Sequence, residues 1–342
     1  MSQTRHRATA AGMLKLPSIE THCAWEMRND KSIMEVMKMK DTQNKALYSF
    51  ADKDVAGLHV HISSGNGKIG HIWNVSTVPG DALNAPSVSR EGKQIRITDV
   101  PGTCGGVCKD CHNFCYAFDS IRQHHNACAP SWSENTLVYR KDVDRFMKEI
   151  DDAITEKNSR HHGKKVEEFR INVSGELESY RSLLLWIELA KKHPETRFGI
   201  YTKRFSWVVD YLKANDKFPE NFFINASEWN HNIDSLKPQI EGKTNIFAYC
   251  DSLAEAQEYL DKGYRMCRAI DYRGRHTGVK CDECGYCYGR YGIVNVFVLD
   301  HSSAGRVRLA KEAKQLKVED KLDAVIARIN KAQEVESKEA AE

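Results

Sequence analysis

A chain of 342 residues with a formal net charge of +3 has neither the strong basic excess of a nucleic-acid-coating protein nor the acidic excess of a solvating tail. Hydrophobic residues make up 41% and charged residues 28%, an ordinary balance for one large domain or for two of roughly 150 residues each. No run approaches the roughly 18 apolar residues of a spanning helix, and Met1 to Leu16 lacks the apolar centre of an export signal, so the expectation is a cytoplasmic protein with no membrane partner.

Residues 1–92 read as an N-terminal extension. A helix is expected over Ser32 to Met39. Leu58 to Ile62 alternates, Ser63-Ser64-Gly65-Asn66-Gly67 supplies turn chemistry and Ile69 to Val75 resumes, which predicts a β-hairpin with His59 and His61 as a surface pair. Pro79 to Gly92 reads as a loop. Residues 93–270 then follow a strand-helix rhythm. Gln94 to Val100 is a predicted strand that runs into a cysteine-rich loop, after which come a polar aromatic segment and a helix with Val143, Phe146, Met147, Ile150 and Ile154 on one face.

Strands over Phe169 to Val173, Arg197 to Tyr201, Asn221 to Asn225, Asn245 to Tyr249 and Tyr264 to Ala269 follow. They alternate with helices over Tyr180 to Ala190, Phe205 to Leu212, near Pro238 and over Leu253 to Leu260. With the strand before the loop this makes six strands and helical crossovers, hence an α/β fold with a parallel sheet or partial barrel. Residues 271–305 read as a cysteine-rich metal-binding segment and an edge strand at Ile293 to Leu299. Residues 306–342 read as a charged helix and tail in which Leu322, Val325, Ile326 and Ile329 form an apolar stripe.

Eleven cysteines without an export signal point to metal or redox chemistry rather than disulfides. Cys23, Cys128 and Cys250 stand apart and read as small buried side chains. Cys104, Cys108, Cys111 and Cys115 crowd one loop. The spacing C-x3-C-x2-C lets a short loop hold three irons of a [4Fe-4S] cubane and leave the fourth open for chemistry. Four thiolates also satisfy a closed tetrahedral zinc site, and spacing leaves open which three of the four cysteines would hold a cluster. Cys267, Cys281, Cys284 and Cys287 suit a second iron–sulfur cluster or a structural zinc, with His276 as a substitute ligand and a glycine-rich surround that favours tight turns.

A C-x3-C-x2-C loop after a first strand, then a helix, then a second strand ending in Ser174-Gly175-Glu176 resembles the radical S-adenosylmethionine superfamily. Cys115-Tyr116-Ala117, Asn172 to Glu176, Tyr201-Thr202-Lys203-Arg204 and Cys281-x2-Cys284-x2-Cys287 together look most like the phage and mobile-element gene product 88 family. The resemblance implies a partial (β/α)6 barrel of the radical SAM type. It also implies a [4Fe-4S] cluster that binds S-adenosylmethionine, with Gly175 and Glu176 holding the methionine amine.

On the same rim Lys203 and Arg204 would meet a carboxylate or phosphate, and Asn225, Ser227 and Glu228 would reach ribose hydroxyls. The implied reaction is reductive cleavage of S-adenosylmethionine followed by hydrogen abstraction from a substrate that is left open, a nucleotide or nucleic acid suiting the basic rim. The rival reading is a non-catalytic zinc-binding protein, structural or touching nucleic acid through Arg265, Arg268, Arg273 and Arg275.

Overall fold

Apolar strands separated by amphipathic helices return to one sheet only through crossovers, and each crossover brings the next strand in parallel. A computed structural model describes residues 54–90, 93–105, 109–113, 115–160, 162–229, 233–318 and 321–329. The helix expected over Ser32 to Met39, Cys23, Cys108 and the acidic tail lie outside the described residues. Seven strands form a single parallel sheet: β1 (Trp73–Asn74), β4 (Glu168–Ile171), β5 (Arg197–Thr202), β6 (Phe222–Glu228), β7 (Asn245–Cys250), β8 (Arg265–Met266) and β9 (Val296–Leu299). Their order is β1-β4-β5-β6-β7-β9-β8, with β1 and β8 at the two edges and no pairing between them among the described residues. The α/β class therefore holds, while closure into a barrel is not seen.

Two expected strands sit differently. Lys93–Arg96 (β3) pairs antiparallel with Ser87–Arg90 (β2) in a separate ribbon, so the first strand of the sheet is β1, not the stretch before the cysteines. Burial decides this: Ile95 is 46% exposed, whereas Ile72, Val75 and Val78 are buried around β1. β1 lies within the stretch read as an extension. It is reached through the predicted hairpin, since Ser63 and Asn74 exchange backbone hydrogen bonds of 2.8 Å before β1 pairs with β4. The second correction concerns Ile293 to Leu299. Every side chain of β9 is buried, and the strand inserts between β7 and β8 instead of lying at the edge.

The near-continuous burial of β4 to β7 marks a sheet covered on both faces. Phe169, Ile171, Phe198, Ile200, Ile224 and Ile246 join the helices in the main core. Helix starts are set by side-chain caps: Asp142 accepts from Arg145 N, Ser179 from Ser182 N and Ser252 from Glu255 N. The segment read as polar and aromatic forms two helices, Tyr116–Gln123 and His125–Lys141. Near the C-terminus residues 322–329 are helical, and Leu322 and Ile329 are buried against the core as their stripe predicts.

The other face of the sheet is covered by the late cysteine segment. Period-two alternation puts Glu168, Arg170, Gly199, Tyr201, Phe223 and Asn225 on this inner side. A Cβ on Gly199 would lie 2.6 Å from the Tyr288 ring, and one on Gly289 would lie 1.8 Å from that of Phe223. The 3-10 turn Tyr286–Tyr288 thus sits directly on β5 and β6. No described helix is long and apolar enough to cross a membrane.

Candidate functional site

The first cysteine loop is anchored at the C-terminal end of the strands. Cys104 N donates to Gly80 O at 2.9 Å, and Gly80 N returns a hydrogen bond to Cys104 Sγ at 3.2 Å. Arg140 donates to the carbonyls of Pro101 and Gly102 and forks onto Glu178, with Nε at 2.9 and 3.0 Å from its two oxygens. Arg204 Nη2 reaches Cys104 O at 2.8 Å while its Nε holds Leu177 O at 3.0 Å. Cys115 is the residue before the helix Tyr116–Gln123.

Thr103 joins this loop to the Ser174-Gly175-Glu176 strand end. Its Oγ1 accepts from Glu176 N at 2.9 Å and lies 2.9 Å from Thr77 Oγ1. Gly175 has φ +86, and a Cβ there would meet Thr77 Oγ1 at 1.9 Å and Thr103 Oγ1 at 2.5 Å, so glycine is required for this approach. Glu176 Oε1 accepts from Thr202 Oγ1 and Leu177 N, both at 2.9 Å, and Oε2 accepts from Lys203 N at 2.9 Å. Oε2 makes one of the two bonds its lone pairs allow, which leaves it able to accept from an ammonium group.

Burial pushes the Cys104 thiol well above its ordinary pKa, the Gly80 N–H opposes this, and Cys115, Glu176 and Cys111 add to the rise. The structure therefore places Cys111, Cys115 and Glu176 within electrostatic range of Cys104. In the second group burial pushes the Cys267 thiol up to about 12, with Cys281 and Cys284 adding. Burial also raises the thiols of Cys281 and Cys287. Among the described residues no three His, Cys, Asp or Glu side chains are already gathered tightly enough to hold a metal ion. All nine described cysteines are free thiols.

Other predicted residues fall in different places. Lys203 is exposed at the rim and its charge reaches Tyr116. Asn225 is fully buried; its Nδ2 donates to Ile200 O at 3.2 Å and Cys287 O at 3.0 Å, so it ties β6 to the late cysteine segment with both donors in use. Ser227 is half-buried farther along β6. Glu228 is buried and paired with Lys237 at 2.7 Å, away from any rim role. His276 stacks edge-on against His301 at 5.9 Å. Cys250 is buried as expected and Cys128 half-buried. His61 pairs with Glu134 at 2.6 Å on the surface.

Of the four arginines read as a nucleic-acid patch, Arg275 is held by Asp271 at 2.8 Å and Arg265 lies over the Tyr286 ring at 5.7 Å. Arg204, expected to meet a carboxylate or phosphate, instead holds the Leu177 and Cys104 carbonyls, and Thr103 and Arg170 escaped the sequence reading. Arg170 alone left a signal, a charge in the middle of the apolar run Phe169-Arg170-Ile171.

The family model described as gene product 88 matches residues 64–332, well over half of the chain. No curated protein and no solved structure matches the chain.

Proposed function

The chain belongs to the gene product 88 family, and on that premise we propose that it is an iron–sulfur enzyme of the radical S-adenosylmethionine type. The observation that carries the reading is the junction at Thr103, which ties the Glu176 backbone to the cysteine loop and leaves Glu176 in electrostatic range of the half-buried Cys104. The donor set is of the kind a cluster with an open iron takes: Cys104 has Cys111 and Cys115 in electrostatic range, Cys108 belongs to the same loop, and Gly175 leaves room for Thr103 to join the loop to the strand end. When bound, a [4Fe-4S] cluster of this kind supplies the electron that cleaves the sulfonium carbon–sulfur bond and sets up hydrogen abstraction from the substrate.

The protein's own groups bind and orient. Glu176 Oε2 accepts from the methionine ammonium while Thr202 Oγ1 and the Lys203 and Leu177 N–H groups keep the carboxylate in place. Arg204 and Arg140 hold the loop so that the thiols keep their separation from Glu176. Cys267, Cys281, Cys284 and Cys287 read as a second centre, iron–sulfur or zinc, whose part is structural. Its segment is tied to the sheet through Asn225 and seated over Gly199.

Anaerobically purified protein, loaded with iron and sulfide and reduced, is expected to convert S-adenosylmethionine to 5'-deoxyadenosine and methionine. Zinc alone at both cysteine groups, with no cleavage, would sink the proposal in favour of a structural zinc protein. Glu176→Ala should weaken S-adenosylmethionine binding by about tenfold or more while the cluster absorbance is kept, because a charge-assisted hydrogen bond is worth about 1.5–3 kcal/mol. Unchanged affinity in this variant would remove Glu176 from the amine site.

A further inference from the structure

Arg170 projects from the inner face of β4 into the space between the two cysteine groups. Its guanidinium lies over the Tyr201 ring at 4.4 Å, and Nη2 donates to Tyr116 Oη at 3.2 Å. Tyr116, Tyr288, Tyr201 and Cys281 are the groups its charge meets. None of these is ordinarily an anion at neutral pH. Among the described residues no carboxylate pairs with Arg170; Glu168, two positions away on the same face, is taken by Arg197 at 3.0 Å and Arg290 at 3.2 Å.

Two donors at this place lack acceptors. Arg170 Nε is buried with no hydrogen-bond partner, and so is Tyr288 Oη on a side chain only 1% exposed. Buried donors without acceptors cost stability, and a fold that keeps two of them beside a cation with no carboxylate partner is short of an acceptor that a ligand can bring. The place is reached from the surface at Tyr116, which is 48% exposed and accepts from Arg170 Nη2.

We propose that this place between the two cysteine groups binds the oxyanion of a small ligand, a carboxylate or phosphate group, with Arg170 as the cation and the Tyr288 hydroxyl as second donor. A guanidinium meets such groups through paired N–H donors, and Nε is the donor still without an acceptor. Lys203, in electrostatic range of Tyr116, adds positive charge at the same end. The inference names the substrate class of the proposed enzyme and rests on that reading only in treating this place as ligand space.

The test uses the full, metal-loaded chain without S-adenosylmethionine, titrated separately with inorganic phosphate and with acetate by calorimetry and thermal unfolding, against chloride at equal ionic strength. One of the two anions should bind at a single site and raise the unfolding midpoint, and which one does so distinguishes phosphate from carboxylate. Arg170→Gln and Tyr288→Phe should each weaken that binding by about tenfold. Tyr288→Phe removes only an unpartnered hydroxyl, so it carries the test if Arg170→Gln does not fold. Binding no better than chloride, or unaltered in Tyr288→Phe and Arg170→Gln, overturns the site. So does a shift in the redox potential or metal content of the late group in Arg170→Gln without any anion binding, which would make the metal–thiolate centre the counter-charge. Because the assay omits S-adenosylmethionine, its failure is separate from failure of the cleavage reaction.

Discussion

Gly175 and Gly242 both have positive φ, +86 and +71, and they differ in what a side chain would meet. Nothing lies within 4 Å of a Cβ at Gly242, so Gly242→Ala should cost about 1 kcal/mol, the conformational term alone. At Gly175 the two threonine hydroxyls stand in the way, and Gly175→Ala should cost about 3 kcal/mol in urea unfolding because packing strain is added. Equal losses at the two positions would show that the Thr77–Thr103 contact does not constrain the site. His301 supplies a pH dependence of its own. Burial, helped by Lys68, lowers its pKa to about 4 from 6.5. Between those values the unfolded chain binds a proton that the folded chain refuses, so the stability contribution is complete above about pH 6.5 and falls away as pH drops toward 4. Urea midpoints followed from pH 7 to 4 should show this loss, up to about 3 kcal/mol, and His301→Asn should flatten it.

Among the elements, the 3-10 turn over β5 and β6 is the most sensitive to a single added group. Gly199→Val puts a branched side chain where the Tyr288 ring lies. The variant should lose metal from the late cysteine group while the loop at 104–115 keeps its own, as read by metal analysis beside Cys281→Ser. The positions of β4, β5, β6 and β7 were readable because each is an apolar run with a helix on both sides. β1 was not readable as a sheet strand, since a strand of two residues shows no period. Gln94 to Val100 misled for the opposite reason: Ile95 and Ile97 alternate as a half-buried strand does, and only the tertiary fold leaves Ile95 in solvent. The cysteines stood out as candidate ligands by their spacing, and Gly175-Glu176 only through the family resemblance. The contacts that join them were not, because Thr103, Arg204 and Arg170 act through residues tens of positions away.

At the scale of the molecule, the late cysteines occupy the connection from β8 to β9. Cys267 directly follows the edge strand β8, and β9 returns to insert between β7 and β8. A metal shared by Cys267 and the 281–287 segment would therefore fasten the outermost strand to the cover of the inner face. Removing that metal with a chelator should lower the thermal midpoint by roughly 5–10 °C and expose residues 271–280 to protease, as expected of a lost ligand that binds only the folded state. An unchanged midpoint after complete metal removal would mean that the segment holds by packing alone.

The seat of Tyr288 on Gly199 also sets an order of assembly. The cover of the inner face at Gly199 and Phe223 comes with residues 286–289, which are made after the loop at 104–115 and strands β4 to β6. Until then Gly199 and Phe223 lack their cover. A metal held by the late group would then be taken up only as that segment closes over Gly199 and Phe223.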